Sequence, residues 1–470
     1  MRRRALVPLA VLLVTAGCGS SGSPQAEPPP AATPSTPAGG CPDERAEPDP
    51  DRPVVGLDFS LSGDLRTVAG TETVVFTPDL PTDELVFRLV PNGPGSAALG
   101  NQLTVDAVRG EAVGGGGYES AQAAAPGGLY VVPLAAPLAA GESTEVELAF
   151  TLRLGAGGFE RLGTGADVSW WASGAPLLTW EPGVGWARDP FVALTGETAV
   201  SPASDTTISV DAPAELTVLM TGDQDEPTRE RGGRRTWTSS EPAARDVSVA
   251  VGRFTTAETQ VDGVRVTAGV LPGAGRDPAR LARVTGEAIE RLSARFGAFP
   301  YATLTVPWLP DFGGGIEYPS SILLASSDET VLVHEVAHMW FYGMVGDSQF
   351  RDPWLDEAFA SYAESVADEP PAAQVTRLLA TDGDVGGSMA AFPDDRRYVT
   401  AVYGKGAAML LTARQQAGDE AFDAALRCYV DAQAWAIATP ADIGTALADL
   451  PAALTVLQQA GALDPEDLRG

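Results

Sequence analysis

Between residues 53 and 254, apolar and polar positions alternate in short runs broken by turn-forming clusters. Residues 73–76, 84–90, 144–150, 206–210 and 247–251 carry the period of two that turns one strand face to a core and the other to solvent. Glycine-rich breaks such as Gly114 to Gly117 separate them. This pattern predicts one large antiparallel β domain. After Gly252 the texture changes. Residues 263–268 still read as a strand. Residues 278–296 then place Leu281, Val284, Ala288, Ile289 and Leu292 on one face of a helix. Residues 302–306 and 321–325 read as strands, and from about Glu329 onward apolar positions recur every three to four residues, as in helices. The run 331–345 is apolar enough to be a buried helix. The expectation is a multidomain α+β protein, with an N-terminal antiparallel β domain over 52–255 and a mainly helical domain with a short helical C-terminus over 256–470.

The first residues follow a different logic. Arg2, Arg3 and Arg4 precede an apolar run over 5–14, too short to span a bilayer. A basic stretch followed by a short apolar one reads as a secretory signal. It ends in Thr15-Ala16-Gly17-Cys18, which resembles a bacterial lipobox, the motif whose cysteine is lipidated. Residues 1–18 are thus expected to be a lipoprotein signal peptide with Cys18 as the lipidation site. Residues 19–51, rich in Pro, Ser, Gly and Ala, read as a disordered tether. The expected location is the bacterial cell envelope, on the outer face of the cytoplasmic membrane, with membrane contact only through the lipid. Ordinary secretion is the alternative.

Composition narrows the function. In 470 residues, 31 Lys and Arg stand against 62 Asp and Glu, a formal charge of −31. Nucleic acid is therefore an unsuitable partner, because phosphate binding needs clustered cations. With three Cys, a multi-disulfide scaffold or cysteine-rich zinc module is excluded. If lipid takes Cys18, Cys41 and Cys428 are left. They either pair across almost the whole chain or stay as an exposed thiol and a buried small residue.

The chain holds two His, and both fall in His334-Glu335-Val336-Ala337-His338, an H-E-x-x-H sequence. Four residues apart on a helix, both imidazoles reach one ion. Two histidines placed at random rarely meet in this motif, so ordinary core histidines are the weaker reading. Glu335 points beside the metal, where it can hold a water. A catalytic zinc also needs a third protein ligand. Asp352-Pro353 reads as a helix start, with Asp as the cap and Pro in the first turn, followed by Trp354-Leu355-Asp356-Glu357-Ala358-Phe359-Ala360. Glu357 is the candidate ligand. Glu364 reads as a solvated helix charge, with a hydrogen bond to a zinc histidine as the alternative.

These stretches resemble the aminopeptidase N family of gluzincin metallopeptidases, in which H-E-x-x-H is followed after 18 residues by Glu within Trp-Leu-Asn-Glu-Gly-Phe-Ala. Gly314-Gly315-Ile316-Glu317-Tyr318 stands where the family has its Gly-Ala-Met-Glu-Asn exopeptidase motif, and Tyr403-Gly404-Lys405-Gly406-Ala407 resembles its Tyr-x-Lys-Gly-Ala. The resemblance implies a thermolysin-like catalytic domain behind a β domain. It further implies one zinc ion per chain held by His334, His338 and Glu357, with Glu335 as general base and Tyr403 as a donor to the oxyanion. Glu317 and Gly315 would bind the substrate, Glu317 at the free α-amine of a peptide. Glu181 is a weaker second candidate for that amine. Tyr318 replaces Asn, Ile316 replaces Met, and Asp356 and Ala358 replace Asn and Gly beside the ligand. The function implied is zinc-dependent hydrolysis of peptides from the N-terminus, in a short bacterial lipoprotein member of the family. The alternatives are a zinc endopeptidase, which Tyr318 leaves open, and a non-catalytic binding lipoprotein that keeps the fold.

Overall fold

The alternating runs build sheets. Strand Thr67–Phe76 turns Val68, Gly70, Glu72, Val74 and Phe76 inward and leaves the alternate residues half-exposed or exposed. It pairs antiparallel with Val54–Leu61 on one side and Thr144–Arg153 on the other. In this seven-stranded sheet Val54–Leu61 also runs parallel to Ser204–Pro213, a departure from the all-antiparallel expectation. A parallel pair needs a long crossover, and the strands lying between the two in sequence supply it. Two four-stranded sheets, one around Thr82–Arg88 and Leu129–Leu138, the other around Val168–Ala172 and Ser248–Gly252, complete the β region. Phe59 packs edge-on against Phe150 and Trp171 in its core. These elements come from a computed structural model that describes residues 41–468 apart from 43, 158–160, 197–198, 310–313 and 366. Cys18 and the expected signal peptide lie outside the described residues.

From Thr255 the chain enters a five-stranded sheet, ordered Thr255–Val261, Val264–Val270, Thr303–Trp308, Ser321–Leu324 and Gly315–Tyr318. Helix Pro278–Phe296 starts on Asp277, whose side chain accepts from Ala279 N, and buries Leu281, Ala288, Ile289 and Leu292. It packs on the first two strands and on helix Glu329–Ala337. Helices Trp354–Glu364 and Gly406–Ala417 pack on each other, and the former also packs on Glu329–Ala337.

The two regions meet through a third core, where Trp170, Leu219 and Phe254 from the β side contact Leu309, Ile316, Tyr318 and Leu323. Arg245, fully buried, fastens them. It donates to the carbonyl oxygens of Ser201 (3.1 Å), Met344 (3.2 Å) and Ala436 (2.6 Å). Its guanidinium lies against Gly346, where a Cβ would stand 2.4 Å from Cζ, so glycine is required there.

Three sequence expectations are corrected. The apolar run 331–345 is helical only to Ala337. Beyond it the chain folds back, with Gly343 N bonded to His338 O and Val345 N to Trp340 O, and Tyr342 sits at φ +96°. The run is apolar because this turn is buried, and hydropathy reports burial before it reports helix. The next helix begins at Trp354, with Pro353 rather than Asp352 in the cap position and no side-chain cap. The tether expected to reach residue 51 is docked from Cys41 onward. Cys41 is disulfide-bonded to Cys428, with Cα atoms 4.9 Å apart, Arg45 pairs with Asp431 at 3.0 Å, and Ala46 N bonds to Asp431 O.

Candidate metal centre

Helix Glu329–Ala337 is started by the Asp328 side chain, which accepts from Thr330 N, and carries His334 and Glu335 on its last turn. His338 follows at its C-terminal end. Helix Trp354–Glu364 crosses it and brings Glu357 to both imidazoles. Glu357 Oε2 lies 3.2 Å from His334 Nε2 and 3.7 Å from His338 Nε2. Ligands held at ~2.0–2.1 Å in a tetrahedron stand about 3.3 Å apart, so these three atoms fit the coordination shell of a zinc ion. The electrostatics agree. Burial alone would lower the His334 pKa, but the hydrogen bonds to Glu357 and Glu364 raise it to about 10. His338 is raised as well, against its burial, chiefly by Glu317 and Asp356. Carboxylates that draw protons onto two imidazoles draw a divalent cation by the same force.

The outer nitrogens are also held. His334 Nδ1 is 2.9 Å from Glu364 Oε1, so Glu364 is a partner of a candidate ligand histidine and not the solvated charge expected from sequence. His338 Nδ1 lies 2.5 Å from Asp356 Oδ1, and Gln349 Nε2 donates to the other oxygen of Asp356 at 3.2 Å. Sequence reasoning assigned Asp356 and Gln349 no role. Such partners fix the tautomer and orientation of a metal-binding imidazole.

Glu335 is buried, and its Oε2 has no hydrogen-bond partner. Burial, reinforced by Glu317 and Glu357 and opposed by the two imidazoles, pushes its carboxyl up to about 8. Its carbon chain rests on Gly315, where a Cβ would come within 2.4 Å of Glu335 Cγ. Strand Gly315–Tyr318 alternates in the ordinary way. Gly315 faces Glu335, and Glu317 Oε2 lies 4.0 Å from His338 Nε2. Ile316 and Tyr318 face the other way, into the interdomain core. The tyrosine at position 318 therefore leaves Glu317 directed at the metal cluster.

Tyr403 sits in a widened, π-type turn, Thr400–Lys405, leading into helix Gly406–Ala417. Such turns recur at functional sites. Its ring lies parallel to that of His334 at 5.9 Å, and its hydroxyl donates to Glu357 Oε1 at 2.5 Å. Lys405, the chain's one lysine, is spent on Gly383 O at 2.7 Å. Glu181 is buried and its carboxylate is taken by Arg351, so the structure does not bring it into the cluster as an amine anchor.

The chain matches no family model. A membrane alanyl aminopeptidase of Heliothis virescens is 28% identical over 184 residues, covering 32% of this chain and 18% of that protein. An aminopeptidase N of Lactobacillus delbrueckii subsp. lactis is 32% identical over 177 residues, covering 30% of this chain and 21% of that protein. The matched stretch thus spans about a fifth of the length of these curated relatives. The crystal structure of an M1 zinc metallopeptidase from Deinococcus radiodurans superposes with a TM-score of 0.64 at 20% identity, covering 88% of this chain and 94% of that one. At that identity the likeness speaks for the fold. Over about a third of its length the chain is similar in sequence to aminopeptidases N, and over most of its length it shares the fold of M1 zinc metallopeptidases.

Proposed function

We propose that the protein removes N-terminal residues from peptides. The observation that carries this reading is Glu317, a buried carboxylate 4.0 Å from His338 Nε2, on the strand whose Gly315 contacts Glu335. A carboxylate this near the metal cluster, with no hydrogen-bonded cation among the described residues, pairs with the ammonium of a free chain end. That contact places the first peptide bond beside Glu335. His334, His338 and Glu357 would hold the zinc ion. When bound, zinc supplies a Lewis acid that polarises the carbonyl and acidifies a water. Glu335 takes the water proton and passes it to the departing amine. Tyr403, whose proton is directed at Glu357 Oε1, donates to the developing oxyanion. A fold neighbour with 20% identity and a TM-score of 0.63 was solved with a Tyr-Ser-Ala substrate, which supports a short peptide as ligand.

The test compares free-amine and N-acetylated peptides, with and without chelator. Cleavage of the free-amine peptides alone, abolished by chelator and in Glu335→Gln, is expected. Equal cleavage of acetylated peptides would assign an endopeptidase instead. Export with a lipid on Cys18 belongs to the same proposal, supported by the basic and apolar leader. No helix among the described residues is long and apolar enough to cross a membrane. Release of Cys18→Ala protein from the membrane fraction is the expected result, and unchanged retention would end that part.

A further inference from the structure

Strand Gly315–Tyr318 gives the site a direction. Glu317 stands beside His338 and Gly315 beside Glu335. A peptide whose amine rests on Glu317 and whose first peptide bond faces Glu335 therefore runs from Glu317 toward Gly315. Beyond Gly315, in the same direction, lies the end of the neighbouring strand. Leu324 pairs with Gly315, and Ala325 N bonds to Gly314 O at 2.8 Å. At that end opens a cavity of about 280 Å³, bounded by Leu324, Ser326 and Ser327. Leu281, Trp308 and Leu332 give it an apolar, largely buried lining. Leu332 and Glu329 belong to the helix that carries His334, two and five residues before it. Along the helix axis that is roughly 3 to 7.5 Å, or about one to two residues of extended peptide.

The rim carries Arg276 and Arg280. Both are exposed, and neither has a carboxylate partner among the described residues. The Arg276 guanidinium lies 4.7 Å above the Trp308 ring. Three acids share the rim. The Asp277 and Asp328 carboxylates each accept a backbone N–H of their own helix, from Ala279 and Thr330, and Glu329 is exposed. Two guanidiniums without a carboxylate partner, in a chain with twice as many acids as bases, are matched to an incoming anion.

We infer that this cavity receives the far end of a short peptide substrate, its last side chain on Trp308 and its terminal carboxylate on Arg276 and Arg280. This rests on the aminopeptidase reading for the direction of the peptide. The enzyme is thereby fitted to tri- and tetrapeptides, held at both ends.

The test uses the zinc-loaded protein and an Arg276→Gln, Arg280→Gln double variant, two exposed positions whose change leaves the cores intact. Dissociation constants are measured calorimetrically in a Glu335→Gln background, so that the peptide survives, for Ala-Ala-Leu as free acid and as C-terminal amide. The free acid is expected to bind at least five-fold more tightly than the amide, and the double variant to lose that difference. Hydrolysis of an aminoacyl anilide, which has no far end, stays unchanged by the double variant. Equal affinity for acid and amide in the parent protein, or a preference that survives the double variant, overturns the inference. Failure of the wild-type protein to cleave any substrate instead overturns the aminopeptidase reading, while the acid-to-amide ratio still decides the cavity.

Discussion

Asp356 Oδ1 lies 2.5 Å from His338 Nδ1, so the residue next to Glu357, the candidate ligand, holds the imidazole supplied by the other helix. The carboxylate is buried and is itself fixed by Gln349. Removing such a partner costs roughly 10–100-fold in metal affinity. Asp356→Ala should weaken zinc binding in that range, and Asp356→Asn, which keeps an acceptor but no charge, by less. Chelator competition measures both. Wild-type zinc affinity in Asp356→Ala would show the contact to be incidental.

Gly315 touches the proposed base. A methyl at 315 would sit 2.4–2.5 Å from Glu335 Cγ, Cδ and Oε1, which real contacts never reach, so Glu335 must move. A displacement of about 1 Å at a reacting group costs on the order of 10²-fold. Gly315→Ala should keep its zinc, because it touches no ligand, and lose one to two orders of magnitude in kcat. Metal content and kcat measured on one sample separate the two. Unchanged kcat would mean that Glu335 has room the structure does not show.

The parts of the site visible in the sequence are those whose geometry is local. His334 and His338 are one helical turn apart, and the strands at 73–76 and 144–150 obey a period of two, so counting finds them. Glu364 was open to discovery by the same counting, since seven residues after Glu357 is two turns along the same face. A charge on a helix is usually solvated, so position alone does not mark it as a histidine partner. Asp356 gave no such signal. Its role exists only because two helices cross at an angle that places position 356 under His338. The turn at 338–345 was illegible for a related reason. Trp340, Phe341 and Met344 are buried by neighbouring elements, and burial there looks like helix to any pattern built on hydropathy.

Glu241, buried where the β region meets the loop at Ser320, makes the interface sensitive to pH. Burial raises its carboxyl from 4.5 to about 7, although hydrogen bonds to Ser320 and the Ala243 backbone favour the ionised form. A raised acid is neutral in the folded chain and charged in the unfolded one between those values. The folded state then binds the extra proton, and stability falls as pH rises from 4.5 to 7. Above 7 the loss is complete and amounts to on the order of 3 kcal/mol. Glu241→Gln cannot ionise, so it should gain on wild type from pH 5 to pH 8 in urea melts. A gap between the two proteins that is the same at both pH values would remove Glu241 from the account.

The Cys41–Cys428 bond ties the docked N-terminal segment to the helix Asp419–Ala432 across 387 positions. Two further contacts of the same segment, from Arg45 and Ala46, meet Asp431 on that helix. Closing so long a loop restricts the unfolded chain more than the folded one, by roughly 5 kcal/mol in the chain-entropy model, a ceiling that real bonds seldom reach. The neighbouring contacts alone are weak, since a half-exposed ion pair contributes about 0–1 kcal/mol. A Cys41→Ser, Cys428→Ser protein should therefore unfold at distinctly lower urea, by about 2–5 kcal/mol, with its zinc content unaltered because neither cysteine approaches His334, His338 or Glu357. Wild type in reductant should move to the same midpoint, which separates loss of the bond from any effect of the serines. Two titratable thiols in the unreduced protein would show that the bond does not form.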